Sequence, residues 1–176
     1  MPDVADVVPP AVDQMGNLVV WFVGGAIADQ TAVKAATELG AATTYRITHS
    51  FLPDGWPLVG SQESNPDDRL TLMQSLESLG KITQTFGDGI KYVDSSAAGS
   101  AAVVLKPVSP AITISGFFVE RRGISNTVVA AAAQKGRVIP VTLGLQMPTV
   151  ADGNGKFAIL QKVSITGPIV NSVFAA

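Results

Sequence analysis

The sequence has no cysteine and a single histidine, His49, among its 176 residues. The missing thiols exclude disulfides, thiolate metal sites and a cysteine nucleophile. One histidine without a second histidine or a thiol beside it cannot build a transition-metal cluster. Charge is scarce as well: 15% of the residues are charged, against roughly 25% in an ordinary soluble domain. The 12 basic and 14 acidic residues leave a net charge of −2, so there is no basic field to grip nucleic acid through its phosphates. Aromatics make up only 6%. Long hydrophobic runs are also missing. The longest, residues 18–28, ends at Asp29 and is far short of the ~20 residues of a membrane span, so no transmembrane helix is expected. The opening Met1-Pro2-Asp3-Val4-Ala5-Asp6 lacks the basic n-region of a signal peptide, and none is expected there.

Signatures of chemistry are missing too. No serine sits in a Gly-x-Ser-x-Gly elbow. Gly87-Asp88-Gly89 lacks the third glycine and the following helix of a dinucleotide fingerprint, and no Gly-rich run leads into a P-loop lysine. Asp67-Asp68-Arg69 and Asp152-Gly153-Asn154-Gly155 are the only local groupings that suggest a cation, and neither has the spacing or the closing glutamate of a calcium loop. They read as solvated turns. The expectation is a protein that is not an enzyme and holds no cofactor or metal.

Apolar residues, in contrast, amount to 47%. The surplus is Ala, Val, Gly and Ile, which suits flat, close-packed contacts better than a deep pocket. A surface so poor in charge is expected to be covered by something. The length fits one domain. Residues 1–16 carry Asp3, Asp6 and Asp13 with no basic residue and include Pro9-Pro10, which reads as an extended N-terminal arm. Residues 17–23 are β-branched and aromatic and stop at Gly24-Gly25, as a buried strand does. Residues 31–40 predict a short helix ending at Gly40, and residues 43–51 a strand. Residues 52–68, with Pro53, Gly55, Pro57, Gly60 and Pro66, predict a long loop, the leading candidate for a contact element.

Residues 69–79 and 81–94 predict two strands joined near Gly80, and residues 95–104 a helix ended by Lys106-Pro107. Residues 112–122, 137–143 and 156–166 predict an antiparallel sheet, with turn formers over 147–155 joining the last two. In the last strand Phe157, Ile159, Val163 and Ile165 alternate with Ala158, Lys162, Ser164 and Thr166, the pattern of a half-buried strand. The expected fold is therefore mainly β, one domain over residues 17–168 followed by a short C-terminal tail. The charge cluster Glu120-Arg121-Arg122, at the end of an apolar strand, reads either as an intersubunit salt bridge or as a polar strand end. Trp56, in the Pro/Gly-rich loop, reads as a better interface anchor than Trp21.

In order and type, these pieces resemble the major tail tube proteins of long-tailed, siphovirus-type bacteriophages, in particular those of actinobacteria. The resemblance is carried by Val20-Trp21-Phe22-Val23, by Thr31-Ala32-Val33-Lys34-Ala35-Ala36-Thr37-Glu38-Leu39, and by Gly116-Phe117-Phe118-Val119-Glu120-Arg121-Arg122-Gly123. It continues through residues 134–146 and closes with Gln161-Lys162-Val163-Ser164-Ile165-Thr166-Gly167. It covers most of residues 17–168 and rests on the succession rather than on one diagnostic motif. It implies an antiparallel β-sandwich with a short flanking α-helix, hexameric rings whose inner sheets join a ring-wide β-barrel, and stacking of the rings into a tube. Stacking is then expected to use residues 52–68, the N-terminal arm and the tail 168–176. Trp56, Asp67, Asp68, Arg69, Glu120, Arg121, Arg122 and Asp152 are the candidate subunit or ring-stacking contacts. The implied setting is the virion tail, assembled in the host cytoplasm, with tape measure, tail terminator and baseplate proteins as partners and genome DNA passing the lumen without specific binding. A capsid decoration or other virion structural protein shares the composition but forms closed oligomers. A β-rich adhesin or carbohydrate-binding module calls for exposed aromatics and an export signal, neither of which the sequence clearly supplies.

Overall fold

A computed structural model describes residues 12–67, 76–109, 112–149 and 155–176. The chain is mainly β and every strand pairing is antiparallel. β1 (Leu18–Val23) is followed by β2 (Thr44–Arg46), then by β3 (Val59–Asp67) and β4 (Leu76–Thr85). β5 (Ile90–Val93) and one short helix, α1 (Ala101–Val104), lead to β6 (Ile114–Arg122), β7 (Lys135–Thr149), β8 (Ala158–Ile165) and β9 (Val170–Val173). Seven strands form one sheet in the order β2-β1-β6-β7-β8-β5, with β9 beside β8 along the same edge of β7. β3 and β4 form a separate two-stranded sheet.

The centre of the sheet is buried on both faces, so β1 reads as a continuous apolar run rather than an alternation. Val20 and Phe22 pack with Phe118 and Ile139 in one core. Val19, Trp21 and Val23 pack with Val119, Val138 and Phe174 in a second core on the opposite face. Burying each such side chain contributes about 1.5–3 kcal/mol. β7 shifts its register against β8 between Leu143 and Gln146, and Ile159 of β8 packs with Ile90 and Tyr92 of β5 in the first core. A buried polar cluster joins these strands. The hydroxyl of Tyr92 donates to Gln161 Oε1 at 2.7 Å and accepts from Gln146 Nε2 at 2.9 Å. The two glutamines in turn donate to Ala102 O, Leu105 O and Gly144 O, tying α1 to β7 and β8.

Several expected elements came out differently. Residues 31–40 are turns rather than a helix, because their backbone pairs with the end of the chain: Ala35 N donates to Ala175 O and Ala175 N to Val33 O. The strand expected over 43–51 stops at Arg46. Ile47 leaves the β region and residues 48–50 make a 3-10 turn, from which Thr48 Oγ1 accepts the Val20 amide at 2.9 Å. The helix expected over 95–104 shrinks to its last turn, since Gly99 has φ +82°, which a right-handed helix cannot include. β7 runs on through Met147–Thr149, where a turn was expected, and residues 168–176 are no free tail: β9 pairs with β7 and Phe174 is core. In β8 the alternation holds for Ile159, Val163 and Ile165 against Lys162 and Ser164, but Phe157 precedes the strand and is exposed, and Ala158 is buried.

Candidate assembly surface

Residues 52–68 are the largest departure from expectation. Only the first part is irregular; from Val59 the chain enters β3, which pairs with β4 from Val59↔Thr85 to Asp67↔Leu76. Gly80 is not the turn between two strands but a bulge inside one. Between the pairs Gln62↔Ile82 and Ser64↔Leu79, Gly80 and Lys81 stand against Glu63 alone, and a Cβ on Gly80 would lie 3.1 Å from Glu63 Cβ and 3.2 Å from its carbonyl oxygen. Glycine therefore lets the bulge close.

This hairpin is exposed on both faces along almost its whole length. It carries Val59, Leu76, Leu79 (78% exposed) and Ile82 (62% exposed) into solvent. Its root, by contrast, is fixed. Trp56, just before β3, and Phe86, just after β4, are buried with ring centroids 4.9 Å apart, and Trp56 packs on Phe118 at 5.1 Å. Alongside, Lys81–Gln84 faces Ile165 and Gly167–Ile169 across a groove of about 510 Å3.

Trp56 was expected in an exposed loop. It lies in the core, and its Nε1 donates to Glu120 Oε2 at 2.6 Å. Glu120 is 1% exposed and bridges Arg122, through both Nε and Nη2, and Arg137 at 2.6 Å. Burial alone would raise its pKa. The hydrogen bonds from Arg122, Arg137 and Trp56 outweigh that and hold the carboxyl below the usual carboxylate range. Arg121, one residue on, points to the other face, as strand alternation requires. It is fully buried, lies 5.6 Å from the Trp21 ring centroid, and gathers Ser125 O, Val128 O, Val129 O and Gln134 Oε1. The cluster is thus three residues with three surroundings, and only Arg122 keeps an exposed side chain, at 55%.

Asp67 ends β3 at the far end of the hairpin. Asp68, Arg69 and Asp152 lie outside the described residues. His49 is exposed in the 3-10 turn. Among the described residues no group of three or more His, Asp or Glu side chains is placed to hold a metal ion, and no helix is long and apolar enough to cross a membrane. Sequence reading missed β3 because Val59-Gly60-Ser61-Gln62-Glu63-Ser64 is polar on both faces. The available signal was its neighbour: a strand such as β4 needs a partner, and the adjacent segment is the usual one.

The family model described as phage tail tube protein matches residues 6–176. A search of curated proteins finds no match.

Proposed function

The chain belongs to the phage tail tube protein family, and from that premise we propose that it is the tube subunit of a siphovirus-type tail, forming hexameric rings that stack into the conduit for genome DNA. The observation that carries this reading is the β3–β4 hairpin. A two-stranded ribbon with both faces in water is marginal by itself, and one bearing Leu79 and Ile82 outward is a liability unless a neighbour covers it. In a ring, the open edges of β3 and β4 pair with adjacent subunits, and a ring-wide barrel removes edges altogether. Asp67 at the end of β3 and Arg122 beside the hairpin root, together with Asp68, Arg69 and Asp152 outside the described residues, are the polar contacts proposed for this assembly. Trp56, Glu120 and Arg121 serve it from within, by fixing the subunit. A net charge of −2 suits a lumen through which DNA slides without being held. Tape measure, terminator and baseplate proteins are the further partners, in a virion tail assembled in the host cytoplasm.

Negative-stain electron microscopy over a concentration series, with light scattering on the same samples, tests the reading. Rings with a central hole or tubes of uniform diameter are expected. Closed compact trimers would overturn it in favour of a capsid decoration role.

A further inference from the structure

Residues 124–134, which join β6 to β7, run Ile-Ser-Asn-Thr-Val-Val-Ala-Ala-Ala-Ala-Gln and contain no charged residue. Exposed connections are usually built of Gly, Pro, Asn, Asp and Ser. Here Val128, Val129 (80% exposed), Ala131 and Ala132 stand in solvent. The loop is nevertheless held in one shape, because its carbonyls are bound from inside. Buried Arg121 donates to Ser125 O at 3.0 Å, Val128 O at 2.8 Å and Val129 O at 3.3 Å, and Arg46 donates to Asn126 O. Gln134 closes the loop, its Nε2 donating to Val129 O and its Oε1 accepting from the Ala131 amide. Ala133 has φ +66°, the one positive value at a non-glycine residue among the described residues. Such a conformation costs free energy and persists where its surroundings over-determine it; here the Ala133 amide donates to Phe174 O at 2.8 Å. The result is a rigid apolar knob, which loses little conformational freedom on being buried.

The knob lies on the face of the second core, where Ala130 packs and Arg121 stands over Trp21. The groove between Lys81–Gln84 and Gly167–Ile169 lies on the other face, since Ile165 and Ile169 pack against the first core. The central sheet separates the two, so the knob cannot enter the groove of its own chain. The groove is walled by Ile82, Ile165 and Ile169, and Lys81 is the single charge among its lining residues. Its volume of about 510 Å3 falls within the ~300–1,000 Å3 that encloses a drug-sized ligand, which a Val-Val pair with its flanking alanines does not exceed. Two unlike surfaces on opposite faces of one chain meet only head to tail, a contact that repeats from copy to copy into rings or open stacks.

We propose that Val128 and Val129 of one copy dock into the groove between β4 and Ile165–Ile169 of a second copy. The inference rests on the tube reading and names one contact within it.

Because the chain has no cysteine, Val129→Cys and Gln84→Cys each introduce a single thiol at an exposed position. The two variants are mixed over a concentration series, treated with a short bismaleimide, digested and read by mass spectrometry, with electron microscopy of the same samples. Mixed 129–84 links are expected to appear with the assemblies and to outnumber links between like chains. Val129→Asp is expected to leave the circular dichroism of the monomer unchanged and to raise the concentration needed for assembly at least about tenfold, the effect of keeping one valine in water. Rings or tubes without mixed links, or with 129–129 links as frequent as mixed ones, would overturn this contact while leaving the tube reading intact, as would Val129→Asp assembling at the wild-type concentration. Neither links nor assemblies at any concentration would overturn both.

Discussion

The indole nitrogen of Trp56 donates a 2.6 Å hydrogen bond to the buried carboxylate of Glu120, and this one contact joins the root of the projecting hairpin to the ion pairs of the central sheet. Replacing Trp56 by Phe keeps an aromatic ring beside Phe86 and Phe118 but removes the donor. The expected cost is about 1–3 kcal/mol for a buried acceptor losing a partner, read as a drop in the urea midpoint of the monomer with little change in slope.

Glu120 makes stability depend on acid in a defined direction. Its folded pKa is depressed, so its contribution is complete above the unfolded carboxyl value of about 4.3 and is lost as pH falls through the lower folded value. Glu120→Gln is expected to cost about 3 kcal/mol at pH 7, because two arginines lose their common carboxylate. The gap in Tm between wild type and variant is expected to be constant from pH 5 to 7 and to narrow below about pH 4. A gap that widens on acidification would contradict the assignment.

Tyr92 is buried, and its pKa is raised, mainly by burial, with the Gln146 hydrogen bond opposing. It stays neutral and serves both glutamines as donor and acceptor. Tyr92→Phe is expected to leave Gln161 Oε1 without its donor and to cost about 1–3 kcal/mol. Hydrogen exchange at Leu105, whose amide bonds to Ala101 O, is expected to quicken as α1 loosens.

Leu79→Glu with Ile82→Glu separates folding from assembly. Both side chains are exposed in the single chain, so monomer stability is expected to shift by no more than about 0.5 kcal/mol. If the hairpin is the contact between subunits, the concentration needed for rings or tubes is expected to rise at least about tenfold, the equivalent of 1.4 kcal/mol. Tubes that form at the wild-type concentration would remove the hairpin from the interface.

Arg121→Lys is expected to cost about 2–3 kcal/mol, although charge is kept. One ammonium cannot reproduce a planar fork that meets Ser125, Val128 and Gln134 while lying over Trp21. Near-ultraviolet circular dichroism of Trp21 should change with it, since the ring loses its cationic neighbour.

Strand composition was legible wherever local chemistry and burial agree. β1 and β6 are β-branched and aromatic and β8 is aliphatic and β-branched, each bounded by turn formers, and they stand within a few residues of where the sequence puts them. The candidate assembly surface was only half legible. Residues 52–68 stood out by their length as a candidate contact element, but Pro53, Gly55 and Pro57 spoke for a loop through the whole stretch. The hairpin depends instead on pairing with β4, the next strand along the chain.

By itself, the sequence determined the classes of chemistry available, the β character of the chain and the positions of its apolar strands, because these follow from residue type and nearest neighbours. Only the tertiary structure decided that Trp56 is core, that Glu120 and Arg121 serve opposite faces, that Val33–Ala35 pair with Ala175 instead of coiling, and that Gly80 bulges rather than turns. Trp56, the Val33–Ala35 segment and Gly80 each answer to a partner far away along the chain, and the two faces of β6 are told apart only by what packs on them. The free energy of a buried hydrogen bond or ion pair belongs to both ends of the contact, and a linear sequence displays only one end at a time.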